Sequence, residues 1–283
     1  MKKETEMTEQ EFLKNYNPGD YARPSNTVDI LLFTVIEKKL KLLLIKRRNH
    51  PWQGQWALPG GFCNINESLD EAVLRELSEE TNVSDANYFH QLYTLGAVKR
   101  DPRMRVITTA YLSLTPAENL KNVKAGDDAR DAKWFDVSKS KPVEISKNTF
   151  KSVLTLSSDD ILIEYEIIDE VNKNYIKRDS KLLEESTDVL AADHIKLVNM
   201  GMDKLRHRVA SSGLMFNLLP EEFTLKQAQE VYEALLGSKK DTANFRRDIL
   251  KLLTLTDKNI WVYNKETKLY RFNPLYNYMV EEI

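Results

Sequence analysis

Between Gly61 and Val83 the chain reads Gly61, five residues, Glu67, seven residues, then Arg75-Glu76-Leu77-Ser78-Glu79-Glu80-Thr81-Asn82-Val83, and this stretch constrains the fold more than any other. Ser68 followed by Glu71 forms a capping box, and Leu69, Val73 and Leu77 recur every four residues, so a helix with one buried face is predicted here. Glu76, Glu79 and Glu80 share another face, because positions i, i+3 and i+4 stack along a helix, and Glu67 stands just ahead of it. Two carboxylates 4 Å apart repel by roughly 4 kcal/mol at an effective dielectric near 20, so such a cluster calls for a cation. An all-oxygen ligand set without His or Cys points to Mg²⁺ or Mn²⁺ rather than Zn²⁺. Arg75, four residues before Glu79, is in reach to orient a carboxylate.

The remainder of the chain has room for a second domain. Its 283 residues are 42% hydrophobic and 30% charged, with a net charge of -2 that is unevenly spread. From His194 onward 14 Lys and Arg face 11 Asp and Glu, a weakly basic third behind an acidic remainder. The single cysteine, Cys63, excludes an intramolecular disulfide framework and is read as a packing residue. No membrane-length apolar run or signal-type segment is evident, so a cytoplasmic protein with no membrane partner is expected.

Residues 1–20 form a polar extension with a capping box at Thr8 and Glu11, expected to cover part of the next domain. Thr27 to Phe33 and Leu40 to Lys46 read as a buried hairpin. His50 to Phe62, with Gly60 and Gly61 at its end, is an irregular loop delivering the helix, and its Trp52 and Trp56 are either base-stacking or core residues. Strands are expected at Gln91 to Val98 and Arg105 to Leu114, joined by the basic loop that holds Arg100 and Arg103, which suits a diphosphate or is a solvated turn. Asp127 and Asp128 precede another strand at Ala132 to Phe135 and either supply a general base or start the turn. Ile161 to Ile168 with a return through Tyr175 reads as a hairpin extending the first domain.

Helices follow at Asp193 to Val209, at Thr224 to Leu236 ended by Gly237, and from Asp241 with Phe245, Ile249 and Leu252 inward. A helix, a Gly-containing turn, a helix and then a hairpin with its tip at Asn264 to Lys268 make a winged helix-turn-helix pattern. If it binds double-stranded DNA, the third helix enters the major groove and Lys239, Lys240, Arg246, Arg247 and Lys268 contact it; the alternative use of such a fold is dimerisation.

The stretch quoted first resembles the Nudix box, G-x5-E-x7-R-E-U-x-E-E-x-G-U, departing from it only where Asn82 replaces a glycine. Together with HPWQGQWALPGGF, RDPR, AGDDA, LPEEFTL, VYEALLG and NFRRDIL, it makes nearly the whole chain similar to the NAD-related transcriptional regulators. That resemblance implies an α+β protein with a Nudix α/β/α sandwich at 21–190 and a winged helix domain at 191–283. It also implies ADP-ribose as ligand, Trp52, Trp56, Gly60, Gly61, Arg100, Arg103, Asp127 and Asp128 near it, Glu76, Glu79 and Glu80 on the metal, and a homodimer. Because Glu67, Arg75, Glu76, Glu79 and Glu80 are all kept, a Mg²⁺-dependent pyrophosphatase is expected, with a non-catalytic ADP-ribose-responsive regulator as the alternative.

Overall fold

The computed structural model describes residues 7–81, 88–120, 129–209 and 213–275. Helix α1 (Glu9–Asn15) is capped by Thr8 and Glu11 as predicted, but it buries no residue. Phe12 and Tyr16 pack on each other at 5.6 Å, and Leu13 is 62% exposed. A capping box fixes a local helix without supplying a surface for it to pack on.

Strands β1 (Ser25–Ile36) and β2 (Lys39–Arg47) pair across a tight turn. Glu37 and Lys38 both have positive φ there, the geometry that suits the twist of a hairpin. Short strands β3 (Trp56–Ala57) and β4 (Gly60–Phe62) pair with β2 and β1, and α2 (Leu69–Thr81) follows. After it come β5 (Tyr88–Leu95), β6 (Val106–Leu114), β7 (Ala129–Lys139), β8 (Val143–Ser146), β9 (Thr149–Ser158), β10 (Ile161–Val171) and β11 (Ile176–Leu182). Among the described residues these make one mixed sheet ordered β11-β10-β9-β7-β2-β1-β6-β5, in which β1 and β6 are parallel. The predicted 161–168 hairpin is β10 and β11, while β8 and β9 were not foreseen.

Alternation along the central strands divides the core between the two faces of this sheet. Val28, Ile30, Leu32 and Leu43 meet Ala72, Val73 and Leu77 of α2. On the opposite face Leu31, Phe33, Leu42, Leu44 and Leu112 share one cluster with Ile195, Val198, Met202 and Leu205 of α3 (His194–Arg208). The same cluster runs on through Phe216, Phe223, Val231 and Phe245, so the C-terminal module shares a dry core with the sheet. Residues 189–191, across which the sequence places the domain boundary, run beside Trp56: Trp56 N–H donates to Val189 O and Ala191 N–H to Trp56 O.

The C-terminal module follows its predicted signals closely. Helix α4 (Leu225–Leu236) starts on a capping box of Thr224 and Gln227 and ends at Gly237, whose φ of 67° is the left-handed conformation that stops a helix. Asp241 caps α5 (Thr242–Ile249) by accepting from Asn244 N–H, and Phe245, Ile249 and Leu252 are buried. Strands β12 (Leu253–Val262) and β13 (Lys265–Phe272) form the wing. Its turn is Tyr263–Asn264, both at positive φ, so Lys265 to Lys268 lie in β13 rather than at the predicted tip.

Candidate functional site

Helix α2 opens where Ser68 and Glu71 form the predicted box, with Ser68 N–H donating to Glu71 at 2.7 Å and Glu71 N–H to Ser68 Oγ at 3.2 Å. Arg75 lies at the centre of the acidic cluster. Its Nε and Nη2 donate to Glu67 at 3.0 and 2.6 Å, and its Nη1 donates to Glu76 at 2.8 Å and Glu79 at 3.0 Å. A further Nη2 bond to Phe62 O at 3.0 Å ties the arginine to β4. The guanidinium pulls the Glu67 carboxyl down to about 2, helped by the Asn64 N–H that also donates to it. Burial has the opposite effect on Glu76: desolvation raises its pKa despite Arg75, and its side chain is 9% exposed.

Glu76 sits against backbone that only glycine permits. A Cβ at Gly61 would fall 2.3 Å from Glu76 Oε1, and one at Gly60, where φ is 151°, would fall 2.1 Å from Val28 O. Glu76 and Glu79 present oxygen donors of the kind a hard divalent cation takes, and a partly desolvated carboxylate is stabilised by a cation beside it, so the residues fit such an ion. Glu80 lies on the same helix; its side chain is outside the described set, as are Asn82, Asp127 and Asp128.

Glu76, Glu79 and Arg75 line a cavity of about 470 Å³ together with Trp52, Gly60, Gly61, Arg100 and Arg103, so most of the predicted residues that can be placed converge there. Trp56 does not. It is 1% exposed, its ring meets Phe135 edge-on at 4.9 Å, and its indole N–H donates to Asp188 at 3.0 Å. Trp56 is therefore a core residue, because β3 is buried at both of its positions and leaves no face of the ring for a base. Trp52 stays partly exposed at the cavity, with the Arg47 guanidinium 5.8 Å from its ring.

The basic loop is less open than its sequence suggests. Arg103 is held by Asp101 at 2.9 Å and lies over Phe62. Arg100, whose side chain is 6% exposed, makes two bonds to Asp193 at 2.8 and 3.2 Å and stands 3.9 Å from Asp29. His194 accepts from Leu58 N–H at Nδ1 (2.9 Å), which leaves Nε2 to carry the proton 3.6 Å from Asp29. Burial lowers the His194 pKa, so it is neutral there. Asp29 also accepts from Thr108 Oγ1 at 2.6 Å. Sequence reading missed Asp29, Asp193 and His194: the first lies inside an apolar strand and the other two open a helix assigned to another domain.

In the C-terminal module the outward face of α5 carries Arg246 and Arg247. Arg247 pairs with its neighbour Asp248 at 3.2 Å, and Lys240 approaches the same carboxylate at 3.7 Å. Arg246, Lys239 and Lys268 are exposed and have no ionic partner among the described residues. Trp261 and Tyr263 near the wing tip are 76% and 91% exposed, a feature the sequence reading did not single out.

Comparison with known proteins agrees with this division. Residues 25–154 match the family model described as NUDIX domain, and residues 215–272 match the NrtR DNA-binding winged helix domain. An ADPR-responsive transcriptional repressor, NtrR, of Acinetobacter baylyi is 29% identical over 94% of this chain and 88% of its own length. An ADP-ribose pyrophosphatase of Methanocaldococcus jannaschii is 41% identical over 41% of this chain and 64% of its own length. Among solved structures, a MutT/nudix family protein from Enterococcus faecalis superposes with a TM-score of 0.70 at 28% identity, covering 94% of both chains. NrtR of Shewanella oneidensis complexed with a 27mer DNA superposes with a TM-score of 0.62 at 29% identity, over 88% of this chain and 94% of that one. Among the described residues no helix is long and apolar enough to cross a membrane.

Proposed function

The chain belongs to the Nudix superfamily and carries an NrtR-type winged helix domain behind its Nudix domain, and from that premise we propose that it hydrolyses the diphosphate of ADP-ribose and reports on that ligand to DNA. The observation that carries the reading is the Arg75 clasp, which gathers Glu67, Glu76 and Glu79, with Arg75, Glu76 and Glu79 in the wall of one cavity. Glu76, Glu79 and, by its position on α2, Glu80 would hold Mg²⁺ or Mn²⁺. Such an ion, when bound, supplies positive charge to diphosphate oxygens and acidity to a water. Arg75 keeps the carboxylates oriented, Gly60 and Gly61 let the chain approach the diphosphate closely, and Arg103 and Arg100 add positive charge to the lining. Trp52 offers a ring on which adenine can stack. Double-stranded DNA would lie against α5 and the wing, with Arg246, Lys239 and Lys268 on its phosphates and the protein a homodimer in the cytoplasm.

Following AMP release from ADP-ribose by the full chain with Mg²⁺ tests the reading. The expected result is turnover that falls about 100-fold or more in Glu79→Gln while ADP-ribose is still bound. Tight binding without AMP from the unaltered chain would favour the second reading, a non-catalytic ADP-ribose-responsive regulator. Similarity to the A. baylyi repressor across both modules supports that alternative.

A further inference from the structure

Arg100, in the lining of the cavity, holds the carboxylate of Asp193, which helix α3 could use. Asp193 occupies the N-cap position of α3, yet its side chain makes no cap hydrogen bond, and both its oxygens go to Arg100 instead. An N-cap Asp ordinarily accepts from the second or third N–H of its helix. Just before it, Ala192 lines the cavity at a φ of 49°, a left-handed conformation that costs a residue with a side chain. The far end of α3 is fixed: Asp203 accepts from Lys139 at 2.6 Å and meets Arg178 at 2.9 Å. Movement at the near end is therefore carried by a helix anchored at the other and continuous with the core beneath the winged helix.

Taking the cavity as a diphosphate site, we infer that Asp193 belongs to that site as the exchangeable partner of Arg100. An entering diphosphate takes the guanidinium and repels the carboxylate; Asp193 then turns to cap the first turn of α3, and the bend at Ala192 relaxes. Two arrangements of one carboxylate thus couple occupancy of the cavity to the helix on which the winged helix packs. A ligand shifts such an equilibrium only through its different affinity for the two arrangements, and competition for Arg100 supplies that difference.

The test is calorimetric titration of the full chain with ADP-ribose in Ca²⁺, beside amide hydrogen exchange of residues 190–197 with and without ligand. In the unaltered chain ADP-ribose should slow exchange in the first turn of α3. Asp193→Asn keeps the capping ability and loses the charge, so it should bind ADP-ribose about fivefold or more tightly and show the slowed exchange before ligand is added. Asp193→Ala should also bind more tightly but show no slowing, and a melt of each variant confirms its fold. Structural damage alone would weaken binding, so a gain separates the latch from a packing role. Binding by the unaltered chain with equal or weaker affinity in both variants overturns the latch alone. Absence of ADP-ribose binding by the unaltered chain overturns the diphosphate reading and the latch with it.

Discussion

Helices α2 and α5 both set arginines among acids, and they use them in opposite ways. On α2 the Arg75 guanidinium is bonded to Glu67, Glu76 and Glu79 and to a backbone carbonyl, so the acids are oriented within the chain while one cation still faces three carboxylates. On α5 Arg247 meets only the neighbouring Asp248, and Arg246 points to solvent with no ionic partner among the described residues. A site for a small polyanion must be preorganised before the ligand arrives, because the geometry of the acids decides the chemistry. A surface for nucleic acid needs no such internal order, since the phosphates supply the missing charges and release their counterions on contact.

The largest effect that would sharpen this contrast comes from a methyl group at the back of the acidic cluster. In Gly61→Ala the new Cβ would overlap Glu76 Oε1, and turnover should fall about 10- to 100-fold with the thermal melt little changed. Unaltered turnover would mean that the position of Glu76 is not critical, and the preorganised half of the comparison would fail. Next in size, Arg246→Ala should leave turnover intact, weaken DNA binding several-fold near 0.15 M salt, and reduce the slope of log K against log salt by about one. An unchanged slope would show that α5 does not face the phosphates.

The smallest expected effect is on pH. The folded-state pKa of Glu67 lies near 2, below its ordinary value of 4.5, so the pair with Arg75 contributes stability fully above about 4.5 and loses it as pH falls toward 2. Acid unfolding curves of Arg75→Met should lack that component, and an NMR titration should find Glu67 back in the usual carboxylate range. A Glu67 titration unmoved by the substitution would mean that the clasp does not hold in solution.

Much of this was legible in the residues because it depends on neighbours along the chain. The capping boxes at Thr8 and Ser68, the stop at Gly237 and the cap at Asp241 are contacts within a few residues, and all four appear as expected. The same reasoning failed where a side chain's surroundings come from elsewhere. The choice between stacking and core for Trp56 stayed open until β3 placed it on Phe135, and Arg100 looked free until Asp193 was found on it. Strands β8 and β9 escaped because their pairing is not local in pattern: β8 pairs with β9, and β9 is held between β7 and β10.

The sequence by itself determined the acidic helix α2, the carboxylates on it and the helix-turn-helix with its wing, since periodicity and capping are properties of short segments. Only the tertiary structure decided that Asp29 and His194 share one cavity with those acids, that Asp193 holds the Arg100 of its lining, and that a single core runs from the sheet into the winged helix. The physical reason is that close packing brings together residues far apart in the chain, and the charge and hydrogen-bond partners that set a residue's role are fixed by that packing.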